Sequence, residues 1–188
     1  MIVMGLMVGL AVSAQAQYTV PTFVTLAASG TTTSVVYFAS SPNQQIRVVQ
    51  AIGSSDLASA NLLFRSGETP LSITKSNAAG TTIDVAYTNG FSAGDAVMLE
   101  TAAGVFTNSI IASFTGSTNI VFGSGLPITR VGDQVYKMST AVKLWVGVWT
   151  NRVFSGEAIY VGNKGRPVSV ILNSTSAGSL DAITARYE

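Results

Sequence analysis

The residues of this chain best placed to recognise something are two tryptophans, in the run Leu144-Trp145-Val146-Gly147-Val148-Trp149. In a β-strand alternate side chains share a face, so Trp145 and Trp149 would project on one side across a gap at Gly147. Leu144, Val146 and Val148 would take the other side. Two indoles so arranged offer a platform for a sugar ring or a base, with Lys143 and Arg152 supplying polar contacts. The same pair also suits burial in a core or at a subunit contact, because aromatic rings dominate such areas. Burial is the reading we favour.

Catalytic chemistry has little to work with. The chain contains no histidine and no cysteine, which removes Ser-His-Asp and Cys-His nucleophile systems and the commonest zinc ligands. Asp56, Glu68, Asp84, Asp95, Glu100, Asp133, Glu157 and Asp181 could in principle supply a carboxylate pair for glycoside hydrolysis. Most of them fall in turns or on the polar side of strands, where carboxylates are ordinarily solvated. Lys75-Ser76 and Lys137-Met138-Ser139 hold the residue types of a Ser-Lys dyad, but neighbouring strand residues point to opposite faces. Asp95 and Asp133 would share a calcium ion only if their loops converged; otherwise each holds its own turn. No phosphate-binding glycine loop and no EF-hand loop is present. The chain is therefore expected to be non-catalytic, with no metal or cofactor.

The elements that must position these residues are short strands. Ser34–Phe38, Gln45–Ile52, Thr81–Tyr87, Ala96–Glu100, Asn108–Phe114, Asn119–Phe122, Gln134–Met138, Leu144–Thr150, Ala158–Val161, Val168–Leu172 and Ile183–Tyr187 are rich in β-branched and aromatic residues. Gly, Asn and Ser punctuate them at the spacing typical of a sandwich or barrel. Within Gln45–Ile52 the alternation predicts Ile46, Val48 and Gln50 on one face, with Arg47, Val49 and Ala51 on the other. Gly53–Ala60 suits a single helical turn capped by Ser54 or Ser55. The fold class is all-β, an antiparallel sandwich or barrel.

A short echo runs through the middle of the chain. Gly94-Asp95-Ala96-Val97 and Gly132-Asp133-Gln134-Val135 each open a strand: Gly turns the chain, Asp caps the turn and Val begins the pleat. A hairpin over Asn108–Phe122 lies between them, and together they suggest a small barrel-like unit over 91–138 inserted between two halves of a sandwich. The run Gly90-Phe91-Ser92-Ala93-Gly94-Asp95-Ala96-Val97, the hairpin and Arg130-Val131-Gly132-Asp133-Gln134-Val135-Tyr136 resemble small β-barrel modules of bacteriophage tail, neck and head-decoration proteins. The resemblance covers about a quarter of the chain. It implies an adhesive packing unit rather than a catalyst.

Residues Met1–Ala16, MIVMGLMVGLAVSAQA, read as a secretory signal peptide: an apolar run from Ile2 to Val12, then Ala14-Gln15-Ala16 before a cut at Gln17. No Lys or Arg precedes Arg47, so the usual basic start is missing. The run is too short for a membrane span, which needs about 20 apolar residues. The remainder, 17–188, forms the β-rich unit. Its placement is expected to be extracellular or at the cell surface, or in a virion if the leader is retained.

Composition points to assembly. Only 10% of residues are charged while 47% are hydrophobic, and the net charge is +1. That charge gives no field for nucleic acid or an anionic membrane. An acidic excess from Gln17 to Leu126 faces a basic excess beyond Pro127, an asymmetry suited to head-to-tail contacts. The expected role is a self-assembling structural protein of a surface layer, filament or virion, partnered by copies of itself and by other structural subunits. Trp145, Trp149, Tyr160 and Arg166 are its candidate contacts. The loop Gly162–Pro167 is expected as an exposed basic hairpin tip. The alternative role is an exported carbohydrate-binding or adhesion module using Trp145 and Trp149.

Overall fold

The structure is a computed structural model and describes residues 22–30, 33–39, 41–102, 104–173 and 178–188, with the backbone alone at 145 and 150–152. The segment Met1–Ala16 lies outside the described residues. Among the described residues the fold is all-β, without a helix and with 68% strand. No helix among the described residues is long and apolar enough to cross a membrane.

Thirteen strands follow in order among the described residues: β1 (Thr22–Gly30), β2 (Thr33–Phe38), β3 (Ile46–Ser55), β4 (Asn61–Lys75), β5 (Gly80–Val85), β6 (Ala96–Glu100), β7 (Phe106–Thr115), β8 (Asn119–Leu126), β9 (Gln134–Met138), β10 (Val142–Trp145), β11 (Trp149–Val161), β12 (Val168–Asn173) and β13 (Gly178–Tyr187). Strands β1-β13-β3-β11 form one sheet, and β2-β12-β4 with β10 form the facing one. Strands β4-β5-β8-β7-β6-β9 close on themselves through the β4–β9 pairing, giving a six-stranded antiparallel barrel.

β4 belongs to both bodies. Asn61–Ser66 pairs with β12, whereas Gly67–Ser72 pairs with β9. The register breaks between Gly67 and Pro70, a bulge at which proline costs no ladder bond. Leu62 and Phe64 enter the sandwich core with Val36, Phe38, Ile46, Val48, Trp149, Val170 and Ile183. Leu71 and Ile73 enter the barrel core with Ile83, Val97, Leu99, Ile111, Ile120 and Val135. A third cluster, Met98, Tyr136 and Met138 with Tyr37 and Phe106 against it, joins the barrel to the outer face of β2.

Several expectations require correction. The barrel extends over Gly67–Met138 rather than 91–138, because the second half of β4 and all of β5 complete its ring. Gly53–Ala60 forms no helical turn: β3 continues to Ser55, whose Oγ accepts the Leu57 N–H at 3.2 Å and caps the reverse turn that follows. In β3 Ala51 is buried alongside Ile46 and Val48. Val48 and Gln50 oppose consecutive residues of β13, so Val49 is an extra residue and this bulge reverses the alternation. β5 ends at Val85 instead of Tyr87.

The echo in the sequence is also an echo in hydrogen bonding. Gly94 N–H donates to Ile111 and Ile111 N–H returns a bond to the Asp95 carbonyl, at 2.8 and 3.0 Å. Gly132 and Asp133 do the same with Ile73, at 3.0 and 2.8 Å. Both glycines have positive φ. The two strands they open, β6 and β9, lie side by side and antiparallel in the barrel wall.

Candidate functional site

The run around the tryptophans does not form one strand. β10 ends at Trp145, paired to Asn61 of β4, and β11 begins at Trp149, paired to Ser55 of β3. Between them Gly147 adopts φ 56° while the N–H groups of Val146 and Gly147 both donate to the Ala60 carbonyl. The left-handed turn carries the chain from one sheet to the other. The two tryptophans therefore stand in strands of facing sheets rather than in one strand. Trp149 is 0% exposed, packed at 5.5 Å against the Phe154 ring. Gly53 lies beneath it: a Cβ there would stand 2.9 Å from the indole. Trp149 is a core residue and presents no face to a ligand.

Tyr160 stacks on Phe64 with ring centroids 5.5 Å apart. Burial raises its hydroxyl pKa, and a hydrogen bond with Ser139 partly opposes the rise. The loop bearing Arg166 is not a free tip. Gly162 and Gly165 donate to Ile46 and Gln44 at 2.9 and 2.7 Å, and Asn163 N–H donates to Ser66 Oγ at 2.8 Å. These bonds clamp the loop over the entry to β3 and the bend in β4. Arg166 is half-buried there and opposes the rise of the Tyr136 pKa through its charge. Trp149 and Tyr160 both pack in the sandwich core, while Arg166 sits on the clamped loop.

Asp133 and Asp95 are occupied structurally. Asp133, 2% exposed, accepts from Ala102 N–H at 2.9 Å and Arg130 N–H at 2.8 Å. Asp95 accepts from Ser92 N–H at 2.7 Å and pairs with Lys137 at 2.8 Å. Burial pushes the Asp95 pKa upward, but the Lys137 contact and the Ser92 bond outweigh it, so the carboxyl titrates below its usual range. Among the described residues no group of three or more acidic side chains could hold a metal ion.

What the tertiary structure builds instead is a cleft of about 520 Å³ on the seam between barrel and sandwich. Its sandwich wall is Arg65 of β4 and Ile171 of β12; its barrel wall comes from β6, β7, β8 and Met138. Most of the lining is apolar, through Val97, Ile110, Met138 and Ile171. Ser109 and Ser124 hydrogen-bond to each other at 3.0 Å across β7 and β8. Arg65 is the single charged residue of the lining, and it takes part in none of the ion pairs among the described residues. Its Nε is buried without a hydrogen-bond partner, as is Asn108 Oδ1. Beside the cleft, Tyr37 and Phe106 stack at 5.4 Å and pin the two bodies together.

Sequence reasoning did not reach this site. Arg65 follows the apolar run Leu62-Leu63-Phe64, and the cleft exists only because β4 continues from one body into the other. The available signal was Gly123-Ser124-Gly125, two glycines inside a strand, a composition that marks a bend or a close approach. Compared with protein-family models, with curated proteins and with solved structures, the chain shows no match.

Proposed function

We propose that this chain is a non-catalytic structural subunit that assembles with copies of itself, in an extracellular surface layer, a filament or a virion. The observation that carries the reading is edge strand β1. Its nine residues, TFVTLAASG, include no charge and no proline. Among the described residues β1 pairs only with β13 and its other side is an open edge of N–H and C=O groups. Soluble proteins normally guard such an edge with lysine, proline or a marked bulge, because an unguarded edge accepts another strand. β1 has a single register shift, near Ala28, and Phe23 on it is 58% exposed. The opposite edge, β11, is interrupted by two register shifts and carries Arg152 and Glu157. An uncharged strand pairs antiparallel with its own copy without like-charge repulsion, which suits a two-fold contact. The site of assembly rests on the pattern of Met1–Ala16: an N-terminus at Gln17 in natural material indicates export.

The test is solution mass. Analytical ultracentrifugation and electron microscopy of the full chain are expected to show concentration-dependent multimers. Phe23 and Ala27 lie on the exposed side of β1, away from the core. Phe23→Lys with Ala27→Lys is expected to return the protein to monomer with an unchanged unfolding midpoint. A wild-type chain that stays monomeric at high concentration refutes the reading.

A further inference from the structure

We propose that the seam cleft is a docking site for the free C-terminus of another polypeptide, one ending in an aliphatic residue. The site is separate from β1 and stands whether or not the chain associates with itself.

Three features of the cleft define its occupant. The first is charge. Arg65 is the lone charged residue in a mostly apolar lining and has no carboxylate partner among the described residues. A guanidinium in such surroundings favours a carboxylate, which it can hold with two parallel N–H bonds. The second is a complementary pair of unmet demands. Arg65 Nε lacks an acceptor and Asn108 Oδ1 lacks a donor. Both atoms are shut off from water, so a ligand meets them only once the two side chains turn into the cleft, and it then relieves two buried groups that are costly while unpaired. A terminal residue carries an anionic acceptor and an amide N–H on adjacent bonds, which answers both. A fatty acid supplies only the first.

The third feature is space. Gly123 leaves its position in the β8 wall of the cleft without a side chain, and a Cβ built there would meet nothing within 4 Å. A strand bare in this way permits another main chain to approach closely. Ile110, Met138 and Ile171 supply apolar surface for a terminal aliphatic side chain. A volume of about 520 Å³ is that of a small-ligand pocket. It accommodates the end of a chain rather than a strand running through.

The experiment is calorimetric titration of the full chain with acetyl-Gly-Ala-Leu carrying a free carboxylate, against the same peptide amidated at its C-terminus. The free acid is expected to bind one to one, with amidation weakening it by about tenfold or more. Arg65→Met is expected to weaken the free acid similarly, and Arg65→Lys to recover only part of the loss, because an ammonium lacks the two-bond fork. Gly123 has no positive φ, so Gly123→Phe should fill the cleft without backbone strain and abolish binding at an unchanged unfolding midpoint. The inference is overturned if the free acid does not bind, if the amide binds equally well, or if Gly123→Phe binds as wild type does. It is likewise overturned if acetyl-Ala-Asp-Leu-amide, with its carboxylate on a side chain, matches the free acid. None of these results bears on the self-association of β1.

Discussion

Gly53 and Trp149 show how one missing side chain admits another. The indole lies over Gly53, and an added Cβ would stand 2.3 Å from the Ser179 carbonyl oxygen and 2.9 Å from the ring. The first contact is to backbone and cannot be relieved by a rotamer change. Gly53→Ala is therefore expected to destabilise the chain by about 1–3 kcal/mol, the range for forcing extra volume into a packed core. Denaturant midpoints of the two proteins measure it, and an unchanged midpoint would mean that the indole is not seated there. The acidic side chains illustrate the complementary case. Asp133 and Asp95 were legible as turn residues from their Gly-Asp setting, and their carboxylates do accept turn N–H groups. The second bond of Asp133, from Ala102, lies 31 positions away and had no local signal.

Among the elements, β4 decides the architecture. Its central Ser66-Gly67-Glu68-Thr69-Pro70 carries the turn residues that ordinarily separate strands, and for that reason it was not legible as a strand at all. In the fold those residues become the bulge by which one strand passes from a sandwich sheet into a barrel wall. A shared strand couples the two cores. Ile73→Ala removes a buried side chain from the barrel and is expected to cost about 2–5 kcal/mol. The same substitution should lower the unfolding midpoint read by fluorescence of Trp149, which sits in the sandwich core. If that signal keeps its wild-type midpoint while far-ultraviolet circular dichroism shifts, the bodies unfold independently and the coupling is absent. Strands β6 and β9 were legible to the residue, since a Gly-Asp turn opens each and a valine begins the pleat. β1 went unseen because small residues dominate it.

For the molecule as a whole, the buried tyrosines give a pH signature. Tyr37, Tyr160 and Tyr187 are raised above their ordinary value of 10.0 chiefly by burial. Tyr136 is pushed up to about 12 by burial, then by the charge and hydrogen bond of Glu100. In the unfolded chain these hydroxyls ionise near 10.0, while in the fold they keep their protons longer. The native state therefore binds more protons than the unfolded state above that pH, and stability falls as pH rises from about 10 through the folded values. Urea midpoints measured stepwise through this window should decline, and Tyr136→Phe should flatten the decline. Because these tyrosines lie in both the sandwich and the seam, a flat profile would argue against the packing of the whole assembly.

Composition, alternation and turn chemistry by themselves determined that the chain is all-β, where most of its strands begin, and that the Gly-Asp pairs open two of them. These are local properties, set by which residues tolerate a pleat or a positive φ. Only the tertiary structure decided that the Trp145–Trp149 run breaks between sheets, that β4 serves two cores, and that Arg65, Asn108 and Ser124 share a cleft. Each of those depends on pairing between residues distant in the chain, and no local preference encodes which strand will be the neighbour.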